Sequence, residues 1–131
     1  MKWNIQFDDS EGIIRAYQSG EFTVADEALF LHEVVRSPKW ETGLPLMIDF
    51  CHLDIDNMRF PQVASLSGLI VEMADQVGPG KLALLCDNEE QFGLGRQFQM
   101  LTEFDLGREI RVYRNEDEAI RFLTAARGDE S

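Results

Sequence analysis

Basic residues are scarce in this chain: 12 Lys and Arg stand against 24 Asp and Glu, for a net charge of −12. The deficit is even, with residues 1–65 and 66–131 each at −6, so no basic tail or patch hides inside the average. A phosphate backbone or an anionic bilayer would meet net repulsion, which argues against nucleic acid as a partner. Cysteine is limited to Cys51 and Cys86, one bridge at most and far short of a disulfide framework. No window approaches the ~20 apolar residues of a membrane span. The opening MKWNIQFDDSEG holds no apolar run of signal-peptide type. The expectation is a cytoplasmic protein, not membrane-integral, with reduced thiols. Catalytic signatures are missing too: there is no G-x-S-x-G, Walker loop, H-E-x-x-H or C-x-x-C. A conventional enzyme is not supported, and no cofactor is expected.

What is present suits one globular core: 131 residues, 44% hydrophobic and 27% charged. Trp3, Ile5 and Phe7 alternate with polar residues as in a half-buried strand, and Ile13–Ser19 resumes the pattern after the turn DDSEG, predicting a hairpin. Thr23 caps a helix with Val24, Ala28, Leu31 and Val35 on one face. Leu46–Phe50 reads as a short strand, and the ten residues 51–60 as a loop leading to Pro61 at a helix start. Val63, Leu66, Ile70, Ala74 and Val77 line one side of that helix until Gly78-Pro79-Gly80 stops it. Lys81–Cys86 is a strand of the type buried on both faces. Asn88 with Gln91 caps a helix running to about Phe104, with Leu94, Phe98 and Leu101 inward. A last strand holds Ile110 and Val112, and Asn115 with Glu118 caps a closing helix with Ala119, Ile120, Leu123 and Ala126 inward. The order ββαβαβαβα predicts an α/β fold with a mostly parallel five-stranded sheet, as one domain over 1–127 with a polar tail at 128–131.

In such sheets ligands gather beyond the carboxyl ends of the strands. That directs attention to Asp49–Asp56 and Asp87–Gln91. Asp49, His52, Asp54 and Asp56 put three carboxylates and an imidazole in eight residues, yet in so acidic a chain and without an EF-hand glycine they read as a solvated loop, with no metal assigned. Cys51 and His52 are adjacent on an extended segment and point apart. With two histidines in the chain, zinc lacks ligands, so Cys51 and Cys86 read as core or rim thiols and His32 as a surface residue. Gly93 and Gly95 inside a helix each cost roughly 1 kcal/mol against Ala, which asks for a close approach by another backbone or by a ligand.

Four segments carry a resemblance: GIIRAYQSGEFT, LPLMIDF, KLALLCDNEEQFGLGRQFQML with its F-G-L-x-R-x-F, and REIRVYRNEDEAIRFL. Together they resemble the SpoIIAA-like branch of the STAS and CRAL-TRIO group across nearly the whole chain. The resemblance implies a non-enzymatic regulatory or protein-interaction module, expected as a homodimer, with a protein partner on the surface around the second helix. In STAS antagonists a serine at the start of the helix after the central strand is phosphorylated, which points to Ser65 and Ser67 here. The antagonists' Asp-Ser-Ser-Gly is missing, and Ser65 falls in the second helical turn, where the helix dipole helps a phosphate less. The alternative is a carrier or sensor of a lipid or other small apolar anionic ligand. Phe92, Phe98, Met100 and Phe104, with Leu69 and Met73, exceed one helical face; if the helices splay, that surplus lines a pocket with Arg96 on the anionic group. Asp49, His52 and Asp87 complete the candidate ligand set.

Overall fold

The alternating Trp3, Ile5 and Phe7 form β1 (Lys2–Asp8), which pairs antiparallel with β2 (Ile13–Glu21). Asp8 organises the turn between them: its Oδ1 accepts from the Ser10 amide and hydroxyl and from the Glu11 amide at 2.7–3.1 Å. The coordinates are a computed structural model that describes residues 1–125, so Ala126 and the expected tail at 128–131 lie outside the described residues. Thr23 accepts from the Asp26 amide and opens α1 (Val24–Arg36). The remaining elements are β3 (Leu46–Asp54), α2 (Phe60–Glu72), α3 (Ala74–Val77), β4 (Gly80–Leu85), α4 (Glu89–Leu106), β5 (Arg108–Tyr113) and α5 (Glu116–Thr124). Asn88 and Asn115 cap α4 and α5 through the Gln91 and Glu118 amides, at the positions the sequence marks.

The five strands lie side by side in chain order. β2 through β5 are parallel and β1 is antiparallel, so the sheet is mixed rather than mostly parallel. A tight four-residue turn can only return a strand antiparallel, whereas each later strand is reached through a helix. The element order also differs from the expected one. The helix read as continuous from Pro61 to Val77 breaks at Met73, whose φ of −96° and ψ of 11° leave the helical range, and resumes as the short α3.

Alternation along the strands divides the core between two faces of the sheet. On one face Ile14, Ala16, Leu46, Phe50, Leu82, Leu84 and Ile110 meet α1, α2 and α4. On the other, Ile13, Met47, Ala83 and Leu85 meet Ala119, Phe122 and Leu123 of α5. That second face is closed by cations: Lys81 donates to the Phe122 and Ala125 carbonyls at 2.9 Å, and the Arg111 guanidinium lies 4.7 Å from the Phe122 ring centre. In α4 the inward stripe is Gln91, Gly95, Phe98, Thr102 and Leu106. Leu101, expected inside, is exposed, because one residue along a helix turns the side chain by about 100°.

At the amino ends of the parallel strands Arg108 is buried. Its guanidinium donates to four carbonyls at 2.8–3.0 Å: Gly78, Leu44, Lys81 and Val77. Two of these close α3, so the cation also meets the negative end of that turn. Gly80, at φ +149°, lets the chain pass Gly43 so closely that a Cβ there would stand 2.6 Å from the Gly43 carbonyl oxygen.

Candidate functional site

Between the sheet and α1, α2 and α4 the packing is incomplete, leaving a cavity of about 80 Å³. A single water needs roughly 10–15 Å³ of such space, so the void exceeds an ordinary packing defect several-fold. Its walls are apolar. Ile48, Phe50 and Leu84 rise from the sheet, Leu66 and Ile70 from α2, and Leu94, Gly95 and Phe98 from α4. Gly95 has a packing reason here: a Cβ would meet Val112 Cγ1 at 3.0 Å, so a side chain of β5 makes the close approach and not a backbone. At Gly93 a Cβ would meet nothing within 4 Å, and nothing in the structure explains that glycine.

Two polar side chains line this otherwise greasy cavity, Gln18 from β2 and Glu27 from α1. Gln18 is 3% exposed. Glu27 is half-buried, and although its Oε1 and the Gln18 Nε2 are themselves buried and form no full hydrogen bond among the described residues, the Gln18 side chain lies close enough to act on the Glu27 carboxyl. A buried polar atom left so typically costs about 1–3 kcal/mol. Burial pushes the Glu27 carboxyl up to about 7; the Gln18 side chain pulls against that rise and the neighbouring Asp26 charge adds to it. Both residues are placed by periodicity. Gln18 continues the inward series Ile14, Ala16, and Glu27 shares the helical stripe of Phe30, Leu31 and Val34. The legible signal was a polar residue standing at the inward register of a strand and of a helix; an acid there is easily passed over as surface.

Of the ligand residues suggested by the sequence, Phe98 lines the cavity, as does Gly95, and the other candidates stand elsewhere. Arg96 is exposed on α4, as are Met100 and, at 94%, Phe104. Phe92 is half-buried, Met73 is buried, and Leu69 is exposed. Asp49 accepts from the Cys51 amide at 3.0 Å, and strand alternation turns it to the α5 face, away from the cavity. His52 and Asp87 are exposed. β3 runs on to Asp54, so much of the expected Asp49–Asp56 loop is strand, and no group of three or more His, Cys, Asp or Glu among the described residues is placed to hold a metal. Ser65 is exposed, whereas Ser67 is buried and its hydroxyl accepts from Thr102 at 2.7 Å, joining α2 to α4.

The thiols are poor nucleophiles. Burial, with Asp49 adding to it, pushes Cys51 up to about 12, and burial raises Cys86 against the pull of Arg114. Each sulfur lies against a carbonyl, Cys51 at Leu85 and Cys86 at Tyr113. Gln91, noticed only as part of a cap, has a larger role. It accepts from the Asp87 amide at 2.7 Å and donates to the Phe50 and Cys51 carbonyls, latching the start of α4 to the middle of β3.

No family model matches the chain, and no curated protein does. Among solved structures it is similar to that of an uncharacterized protein from the DUF3478 family with a SpoIIAA-like fold, from Shewanella loihica PV-4. The two share 14% identity at a TM-score of 0.60, over 93% of this chain and 92% of the other. With its sheet order, its helices on both faces and that likeness, the chain has a SpoIIAA-like α/β fold.

Proposed function

We propose that this chain is a non-enzymatic, cytoplasmic sensor module of the STAS type that takes a small apolar molecule between its sheet and helices. The observation that carries this reading is the apolar cavity, in which Gln18 and Glu27 are the two polar side chains and share no full hydrogen bond. Native interiors satisfy the great majority of buried polar atoms, so each exception asks for a physical explanation. The raised thiol pKa values and the exposure of His52 favour binding over catalysis, because among the described residues neither thiol has a base poised to activate it. Mass spectrometry under native conditions, on protein purified from its own cytoplasm without detergent, tests the reading. A small-molecule adduct is expected, and its loss on Leu66→Trp, which fills the cavity from α2, assigns it there. A uniformly empty protein overturns the proposal.

A second reading, docking of a protein partner, draws on Met100 and Phe104, which leave α4 with large apolar side chains in solvent at 74% and 94% exposure. The same helix walls the cavity, so a partner on its outer side would be positioned to respond to an occupant. A homodimer through this helix is the simplest case. Light scattering should give twice the chain mass for the wild type and the single mass for Phe104→Glu.

A further inference from the structure

The two edges of the sheet are finished differently. At β5 the outer edge is occupied, because Glu103 of α4 turns its carboxylate onto the Ile110 amide at 2.7 Å. At β1 nothing plays that part. The Ile14 amide donates to the Pro45 carbonyl at 3.0 Å, so Ile14 bonds toward β3 and its neighbours Ile13 and Arg15 bond toward β1. Alternation along an antiparallel ladder then commits Asp8, Gln6 and Asn4 to β2 and turns the N–H and C=O groups of Phe7, Ile5 and Trp3 outward. No hydrogen bond from another element reaches those groups among the described residues. Their side chains are half-buried and line an open groove of about 280 Å³ with Glu33 and Ser37, so α1 stands beside the edge without covering it.

A regular, uncovered strand edge without proline is a template for another strand. We propose that β1 is the seam of a homodimer, pairing antiparallel with β1 of a second copy about a two-fold axis at Ile5 and joining both sheets into one. The segment KWNIQFD fits itself in that register. With Ile5 opposite Ile5, Trp3 meets Phe7, Asn4 meets Gln6 and Lys2 meets Asp8, so aromatic faces aromatic, amide faces amide and opposite charges face each other. The outward residues oppose one another, and every free N–H and C=O on the edge gains a partner. Asp8 already holds Arg15 at 3.0 Å, so the ladder carries the contact and the pair with Lys2 adds little to it. A slip of one pleat repeat either way shortens the ladder and sets Lys2 against Gln6, or Asp8 against Asn4.

Charge selects this place for a second copy. At −12 each, two chains repel over most of their surface, but β1 balances one lysine with one aspartate. α4 carries four acids against Arg96, so apposing it with itself sets like charge against like. The second copy therefore belongs at β1, which leaves Met100 and Phe104 of α4 to a different protein.

Light scattering on the full chain should give twice the chain mass. Hydrogen exchange followed by NMR adds a signature that no other interface produces: the Trp3, Ile5 and Phe7 amides are protected like those of Asn4 and Gln6, whereas in a lone copy protection alternates along β1. Asn4→Lys with Gln6→Lys opposes lysines across the seam and should weaken the dimer by about tenfold or more. Asn4→Lys with Gln6→Glu opposes unlike charges and should keep it. Protection at positions 4 and 6 in both variants shows that β1 still pairs with β2. A monomeric wild type, a dimer in which the Trp3, Ile5 and Phe7 amides exchange fast, or equal behaviour of the two variants overturns the seam. Fast exchange at those amides together with loss of the dimer on Phe104→Glu overturns it in favour of α4.

Discussion

Arg108 and Glu27 are both charged residues drawn into the interior, and the protein treats them in opposite ways. Arg108 at the amino ends of the strands meets four carbonyls, and its guanidinium also lies 5.8 Å from the Trp40 ring centre. Glu27, on α1, is half-buried, and its Oε1 has only the Gln18 side chain beside it, short of a full hydrogen bond. Burial lowers Arg108 to about 10, still protonated at neutral pH, whereas it lifts Glu27 to about 7, where half the molecules carry a proton. One pole is saturated and reads as a fastener. The other is held far more loosely, and the proposed ligand binding rests on that difference.

The sharpest way to break this contrast is to remove each charge and compare signs. Arg108→Met keeps much of the hydrocarbon volume but strands four carbonyls, two of them at the end of α3. Urea unfolding should show a loss of about 3–5 kcal/mol. Arg108→Lys should recover less than half of it, because an ammonium with three donors cannot span the fork. Glu27→Leu should do the reverse and raise stability by about 1–3 kcal/mol, since it deletes an unsatisfied buried atom and adds apolar contact. Equal losses at both positions would mean that Glu27 is a fastener too.

Titration sharpens the same comparison. Glu27 has a folded pKa of about 7 against an ordinary value of 4.5, so between those pH values the folded state holds more proton than the unfolded state. Stability contributed at this site is therefore intact below pH 4.5 and falls as pH rises toward 7, then levels off, with a slope approaching about 1.4 kcal/mol per pH unit inside the window. The wild type also carries many other acids, so the quantity to measure is its stability minus that of Glu27→Gln, by urea unfolding across pH 4–8. A flat difference would mean that the carboxyl ionises freely in the fold.

How far the sequence reveals all this depends on which forces are local. The caps at Thr23, Asn88 and Asn115 are legible because a side chain meets an amide three residues away. The hairpin and the inward stripes of α2 are legible because periodicity is a property of one element. β3 was read too short, since Cys51, His52 and Asp54 look like a loop until the pairing of His52 with Ser19 and of Asp54 with Glu21 extends the strand. The roles of Arg108 and Gln91 depend on partners 27–64 residues away for the arginine and about 40 for the glutamine. The cavity is harder still. It belongs to no segment; it is what three helices and a sheet fail to fill, and the one clue to it was a pair of polar residues at inward positions.

The two glycines of α4 give the smallest and most local test. Gly93 and Gly95 are a single turn-fragment apart in one helix, so the intrinsic gain from alanine, about 1 kcal/mol, is common to both. Gly93 has open space around the missing Cβ and should realise that gain in full. At Gly95 the added methyl would press Val112 Cγ1 at 3.0 Å and Cγ2 at 3.3 Å, with Phe50 Cζ at 3.7 Å behind, and overpacking of this kind costs about 1–3 kcal/mol. Gly95→Ala should therefore lose about 1 kcal/mol net while Gly93→Ala gains about as much, read as opposite shifts in urea midpoint at constant slope. Because Gly95 and Phe50 both line the cavity, a gain at both positions would have a definite meaning: the wall formed by α4, β3 and β5 yields, and the chamber beside Glu27 is softer than its packing implies.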